Sequence, residues 1–189
     1  MRKAYKAFNK DLTCTMGRGT FQYEPGVWYE EAEANCVKNG FHCAENPLDC
    51  MNYYGCWENS QYWEVEIDGD IDEDGTDTKI SATKIRVVRR LRLGEFVTAA
   101  VEYILDHPDL AMNARVATEN RPLRREEPFL IVRNKAPAAA AVKKGQIIAL
   151  LQESADSNEI EAAAAWLIDG AQYRTGVFYD VQGRAVVPC

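Results

Sequence analysis

QYWEVEID (61–68) alternates apolar and acidic side chains, with Trp63, Val65 and Ile67 on one side and Glu64, Glu66 and Asp68 on the other. A period of two with one apolar row is the pattern of a half-buried β-strand. This strand predicts a sheet with one face on a core, and the neighbouring segments are read against it. On its N-terminal side, AYKAF (4–8) reads as a first strand, followed by a loop around Gly17 and Gly19. GVWYEEAEANCVKNG (26–40) has helical composition, with Gly40 placed as a C-cap. Asn46-Pro47 opens a second helix, with Asn as cap, Pro at the first helical position, and Leu48, Met51 and Tyr54 on one face.

On the C-terminal side, DGDIDEDGTD (68–77) is expected to be an acidic loop and KISATKIRVV (79–88) a second strand. LGEFVTAAVEYILDHP (93–108) carries an apolar stripe of Phe96, Ala100, Val101, Ile104 and Leu105 and is ended by His107-Pro108. Residues 109–127 are polar and Arg-rich, a connector. PFLIVR (128–133) and GQIIALLQ (145–152) read as strands, and APAAAAV (136–142) is low in complexity. EIEAAAAWLIDG (159–170) fits either state, because its alanines favour helix while its apolar residues also alternate. Turn signals at Asp169-Gly170 and Gln182-Gly183 point to strands at the end of the chain.

The fold class that follows is α+β: a mixed or antiparallel sheet, a few helices and a C-terminal antiparallel β-meander. The organisation expected is an acidic, Cys- and aromatic-rich module over 1–108, a connector over 109–127, and a mainly β part over 128–189 packed with the first as one compact unit.

Composition narrows the function. Apolar residues make up 47% and charged residues 27%, ordinary usage for a globular chain. No apolar run approaches the roughly 18 residues of a membrane span, so no membrane partner is expected. The start, MRKAYKAFNKD, lacks the apolar stretch of a signal peptide, and a cytoplasmic location is expected. Net charge is -7, unevenly spread: residues 1–80 carry 7 basic and 16 acidic side chains, residues 81–135 carry 11 and 7. That distribution argues against a general nucleic-acid binder and leaves at most weak nucleic-acid contact; it suits a protein that binds basic surfaces. Arg86, Arg89, Arg90 and Arg92 read as a solvated run or as partners of the acidic stretch.

The six cysteines, Cys14, Cys36, Cys43, Cys50, Cys56 and Cys189, include no CxxC pair, which argues against a zinc site. Cys36, Cys43 and Cys50 are seven apart, but Gly40 and Pro47 interrupt any common helix, so they read as buried thiols used as small apolar residues. Asp70-x-Asp72-x-Asp74-Gly75 matches the first half of an EF-hand calcium loop. The second half fails, with Asp77 at position eight and Ser81 at position twelve. Calcium at Asp70, Asp72 and Asp74 is the one cofactor the sequence suggests. His42 and Cys43 are adjacent on a strand and point to opposite faces, so they make no nucleophile–base pair. His107 at a helix end complements the helix dipole. Tyr53, Tyr54, Trp57 and Tyr62, with Glu64 and Glu66, are the candidate interaction residues, since Tyr and Trp dominate binding energy at protein interfaces.

Several blocks together resemble a phage and prophage family known only as a domain of unknown function: YKAFNKDLTC (5–14), FQYEPGVWYE (21–30), NGFHCAENPLDCMNYY (39–54), EVEIDGDID (64–72), DTKISATKI (77–85) and FVTAAVEYI (96–104). The later blocks KKGQIIALLQE (143–153), WLIDG (166–170) and YRTGVFYDVQG (173–183) are similar to that family's ending. The resemblance implies a phage-derived cytoplasmic protein and carries over no catalytic residue. The expected role is an accessory protein that binds a host protein, with counter-defence, such as inhibition of a CRISPR nuclease, as the natural use; oligomeric state is left open. A virion accessory is one alternative. The other is enzymatic: GFHCAENPLDCMNYY (40–54) resembles in shape the nicotinamide-lining segment of ADP-ribosyltransferases. In that comparison Lys6 stands where the first strand carries Arg or His, without the fork of Arg, and Glu126, Glu127 and Glu153 are candidates for the late glutamate.

Overall fold

The computed structural model describes residues 1–15, 19–73, 75, 77–110 and 113–187. Gly17, Asp74 and Cys189 lie outside the described residues. The chain forms two compact units, Met1–Arg92 and Leu93–Cys189. Strands dominate, helices are few and most pairings are antiparallel, a fold that is α+β or mainly β.

The first unit contains β1 (Arg2–Asn9), β2 (Thr13–Cys14), β3 (Phe21–Gln22), β4 (Trp28–Glu30), β5 (Phe41–Ala44), α1 (Pro47–Cys50), β6 (Ser60–Glu73) and β7 (Lys79–Arg90). β1 pairs antiparallel with β6 along its whole length, from Arg2↔Ile67 to Asn9↔Ser60. β6 pairs with β7, β7 pairs with β5, and β5 returns to β1 through Tyr5↔Ala44. The four strands therefore close on themselves, and β4 extends β7 as an edge strand. Alternation holds on β6: Val65 and Ile67 are fully buried in a core with Ala4, Phe8, Phe41, Cys43, Ile80, Ala82, Ile85 and Val87, and Trp63 packs against it. Arg2 reinforces the closure, pairing with Glu45 beside the end of β5 and with Glu73 at the end of β6 at 3.0 Å.

Two segments differ from the sequence expectation. Residues 68–73 continue β6 instead of forming a loop, because Gly69 is a bulge and not a turn. The register slips between Asp68 and Ile71, Gly69 sits at φ +77°, and the Asp70 N–H donates to Thr83 Oγ1 at 3.0 Å. A glycine with positive φ inside a strand is the signature of such a bulge. Residues 26–40 are not helical. Trp28 and Tyr29 pair with Arg86 and Ile85, and Asn35–Asn39 is a tight turn with a bridge. Pairing with a long neighbour overrides the helical composition of this stretch.

The second unit opens with α2 (Leu93–Asp106), followed by β8 (Val116–Ala117), β9 (Arg121–Pro122), β10 (Phe129–Asn134), β11 (Ala138–Ala140), β12 (Ile147–Glu153), β13 (Ile160–Leu167), β14 (Phe178–Asp180) and β15 (Ala185–Val186). One sheet runs β13-β12-β10-β8 and the other β15-β14-β11-β9. Both contribute to one core, with Leu130, Val132, Ile148 and Leu150 from the first and Ala139 and Tyr179 from the second. α2 packs by Phe96 on Phe129 (5.8 Å between ring centroids). The ambiguous alanine stretch is strand β13, paired antiparallel with β12. The end of the chain distributes over both sheets, and β14–β15 is the hairpin that turns at Gln182-Gly183. Two short strands, β8 and β9, fall inside the expected connector. Glu127 holds that segment through Arg121 (2.8 and 2.9 Å) and the Arg124 N–H (2.7 Å). Buried Gln146 ties it down by donating to the carbonyls of Arg124 and Glu127, each at 2.7 Å.

Replacing Gly69 tests the bulge. A Cβ there would run into Thr83 Oγ1, whereas one on Gly26, also at positive φ, meets nothing. Gly26→Ala is expected to cost about 1 kcal/mol for backbone strain alone. Gly69→Ala is expected to cost about 2–3 kcal/mol, because the neighbour must also shift. Urea unfolding followed by circular dichroism distinguishes the two; equal midpoints would remove the bulge argument.

Candidate functional site

Asn46 caps α1 as its sequence predicts, its Oδ1 accepting from the Leu48 N–H at 3.0 Å. The helix is four residues long, and its polar groups tie it to the neighbouring chain. The Asp49 carboxylate, in a residue only 5% exposed, accepts from the Thr78 N–H (3.1 Å) and hydroxyl (2.6 Å). Thr78 Oγ1 accepts from the Asn46 N–H at 2.9 Å. The NPLD motif and Thr78 therefore form one lock between α1 and the start of β7. That lock explains why this block is polar inside without invoking a ligand.

The chain leaving α1 delivers the candidate aromatics. Tyr53 is exposed and its hydroxyl accepts from the Lys79 ammonium at 3.0 Å. Tyr54 is half-buried; its hydroxyl accepts from the Thr15 N–H (3.2 Å) and donates to Cys14 Sγ (3.5 Å). Burial is the main cause that pushes the Tyr54 phenol up to about 12. Tyr62 is buried, donates its hydroxyl to the Tyr54 carbonyl, and carries Trp57 stacked on its ring at 4.8 Å. Tyr54, Trp57 and Tyr62 thus cover β6 from one side and make a small structural cluster. Further along that face, Glu64 pairs with Lys3 (3.2 Å) and Arg89 (3.3 Å), and Glu66 with Arg86. The face grades from buried aromatics through neutralised carboxylates to the exposed end of β6.

At that end, Asp70 and Asp72 are exposed on a strand, and Asp72 Oδ2 accepts from the Cys36 N–H at 2.7 Å, holding the 35–39 turn. Asp74 lies outside the described residues. Among the described residues no group of three or more His, Cys, Asp or Glu is gathered as a metal site.

Lys6 is one residue the composition undersells. It shares the inward row of β1 with Ala4 and Phe8 and is only 6% exposed. Its ammonium donates to the His42 carbonyl and lies 5.7 Å from the centroids of both Phe8 and Tyr23. A cation over two aromatic faces is favourable when desolvated, and it bridges β1 to β5 where their pairing is thinnest. Period-two alternation through AYKAF places Lys6 inside and was the available signal. Of the candidate late glutamates, Glu127 pairs with Arg121 and Glu153 with Arg133, each at 2.8 Å.

Three of the exposed apolar groups lie together around the open edge of β4. Phe21, Val27 and Trp28 are each about 40% exposed. Arg86 stacks over the Trp28 ring at 5.0 Å, and Glu30 pairs with Lys84 at 3.2 Å. Exposed Glu24, Glu31 and Glu33 flank the strand. A shallow hollow beside it is lined by Trp28, Tyr29, Glu30, Asp68 and Lys84. A family model described as Domain of unknown function (DUF7666) matches residues 2–99. The chain belongs to the DUF7666 family. The match spans all the strands of the first unit and the opening of α2, so the β4 edge, the Thr78 lock and the Lys6 contact all lie within the DUF7666 segment. No curated protein and no solved structure matches the chain. No helix among the described residues is long and apolar enough to cross a membrane.

The thiols of this segment give a direct check. Burial pushes Cys43 up to about 12 and raises Cys50 further, whereas Cys56 is exposed. At pH 8 a thiol reagent is expected to label Cys56 and to leave Cys43 and Cys50 unlabelled until denaturant is added, as read by peptide mass spectrometry. Stability follows the same groups. Their folded values lie above the ordinary 9.0 for Cys43 and 10.0 for Tyr54, so the contribution is full below those values and is lost as pH rises toward about 12. Tyr54→Phe is expected to flatten the part of that decline above pH 10.

Proposed function

We propose that this DUF7666 chain is a phage- or prophage-derived accessory protein that acts in the bacterial cytoplasm by binding a host protein. Counter-defence is its role, and a CRISPR nuclease is the kind of target meant. The observation that carries the reading is the β4 edge: a strand paired only with β7, its other side open, with Phe21, Val27 and Trp28 exposed, set among Glu24, Glu30, Glu31 and Glu33. An open edge offers backbone hydrogen bonds to an added strand, and exposed aromatics supply contact energy. The excess of carboxylates over residues 1–80 favours a partner with a basic surface, such as the nucleic-acid channel of a nuclease. The polar groups of the NPLD block and the Tyr54 cluster are engaged internally, which supports binding over catalysis. Nucleic acid itself is not the partner in this reading.

The test combines capture and inhibition. Immobilised wild-type chain should retain one host protein in stoichiometric amount from lysate, and added chain should suppress that protein's activity. Trp28→Ala should weaken binding at least about 10-fold, and Glu31→Lys with Glu33→Lys should slow association while removing most of its salt dependence. Recovery of no stoichiometric partner, or binding indifferent to Trp28, counts against the proposal.

A further inference from the structure

β13 is the longest open strand edge among the described residues. It spans eight residues and pairs only with β12, so the outward N–H and C=O groups along its other side meet no strand. Natural sheets protect such an edge with lysine, proline, bulges or a covering element. Ile160–Leu167 contains no proline and no basic residue, its one charge is Glu161, and the only register shift lies where it begins, opposite Gln152/Glu153. Its outward-facing row, Ala163, Ala165 and Leu167, is exposed, Leu167 to 55%. α2 packs on β12 and β13, and the small side chains of the outward row add little bulk at the open edge.

We propose that the edge of β13 is paired, in solution, with β13 of a second copy of this chain, antiparallel about a two-fold axis at Ala163. Charge and side-chain direction select this occupant and this register. Directly opposed residues in an antiparallel pair share a face, so a dyad at Ala163 sets Glu161 against Ala165 of the partner subunit and Glu159 against Leu167 of the partner subunit. The two Glu161 carboxylates then stand four residues apart, about 14 Å at about 3.4 Å per residue, beyond the Debye length of about 8 Å. Parallel in-register pairing would bring them to about 5 Å. A dyad at Ala164 would oppose Glu159 to Asp169 of the partner subunit. The Ala163 register matches the exposed row to its own copy, the self-complementary arrangement a two-fold interface requires. The two first sheets become one eight-stranded sheet.

The test uses the full chain. Wild type should show a doubling of sedimenting mass as concentration rises through the micromolar range. Ala163→Lys, which places two ammonium groups at the dyad, should sediment as a monomer at every concentration while keeping its circular dichroism spectrum and, at concentrations where wild type is also monomeric, its melting temperature. Ala163→Cys should give a disulfide-linked dimer on mild oxidation, since Cα atoms opposed at about 4.5–5.5 Å suit a disulfide. Wild type under the same oxidant controls for Cys56 and Cys189. A wild-type chain that remains monomeric, or an Ala163→Lys variant that still dimerises, overturns the proposal. Loss of the dimer in Ala163→Lys without cross-linking of Ala163→Cys overturns the register at Ala163.

Discussion

Closure of β1, β6, β7 and β5 on one another is the constraint from which the rest of the first unit follows. A ring of only four strands has a narrow interior. Small residues are accordingly placed where strands approach, among them Ala4, Ala82 and Cys43, while Phe8, Phe41, Ile67 and Ile85 fill the wider levels. In a ring every strand serves two neighbours, and β7 serves a third, pairing with β6, β5 and β4. The bulges at Gly69 and between Glu64 and Val65 let β6 follow it. Where closure is weakest, at the single β1–β5 register pair, side chains complete it: Arg2 reaches Glu45, and Lys6 reaches the His42 carbonyl.

The second unit solves the same problem with buried polar staples. Gln146 satisfies all its hydrogen-bonding capacity, donating to Arg124 and Glu127 and accepting from the N–H groups of Val142 and Lys143. Arg133, 4% exposed, joins Glu153 to the carbonyls of Pro108 and Asn158. Charges this deep hold long loops in one arrangement because an unpaired alternative costs several kcal/mol. The two staples explain how a stretch as polar as 109–127 is built into a fold.

What could be read from the sequence follows the same physics. β6, β7 and α2 are legible because each buries one face and burial writes a period into the residues, whereas β10 and β12, buried on both faces, are legible as short continuous apolar runs. Asn46-Pro47 is legible because capping is local. The helix expected over 26–40 fails because β4 is decided by its partner β7, and the acidic loop fails because a bulge glycine and a turn glycine look alike in one dimension. β13 stayed ambiguous since alanine satisfies both periods. Of the candidate site, Tyr53 is exposed. Tyr62 is buried, and Glu64 and Glu66 are neutralised by Lys3, Arg89 and Arg86, cations far away in sequence that no local pattern ties to them. Trp28 and the β4 edge went unread because they depended on the strand that composition hid.

Lys6 has one more consequence. The ammonium held against Phe8 and Tyr23 is shut away from water only while the ring stays closed, whereas the amines of Lys3, Lys79 and Lys84 face outward whether or not it opens. Its acquisition of an amine-directed label therefore clocks the breathing of the β1–β5 seam, and one lysine in the first strand reports on the integrity of the whole unit.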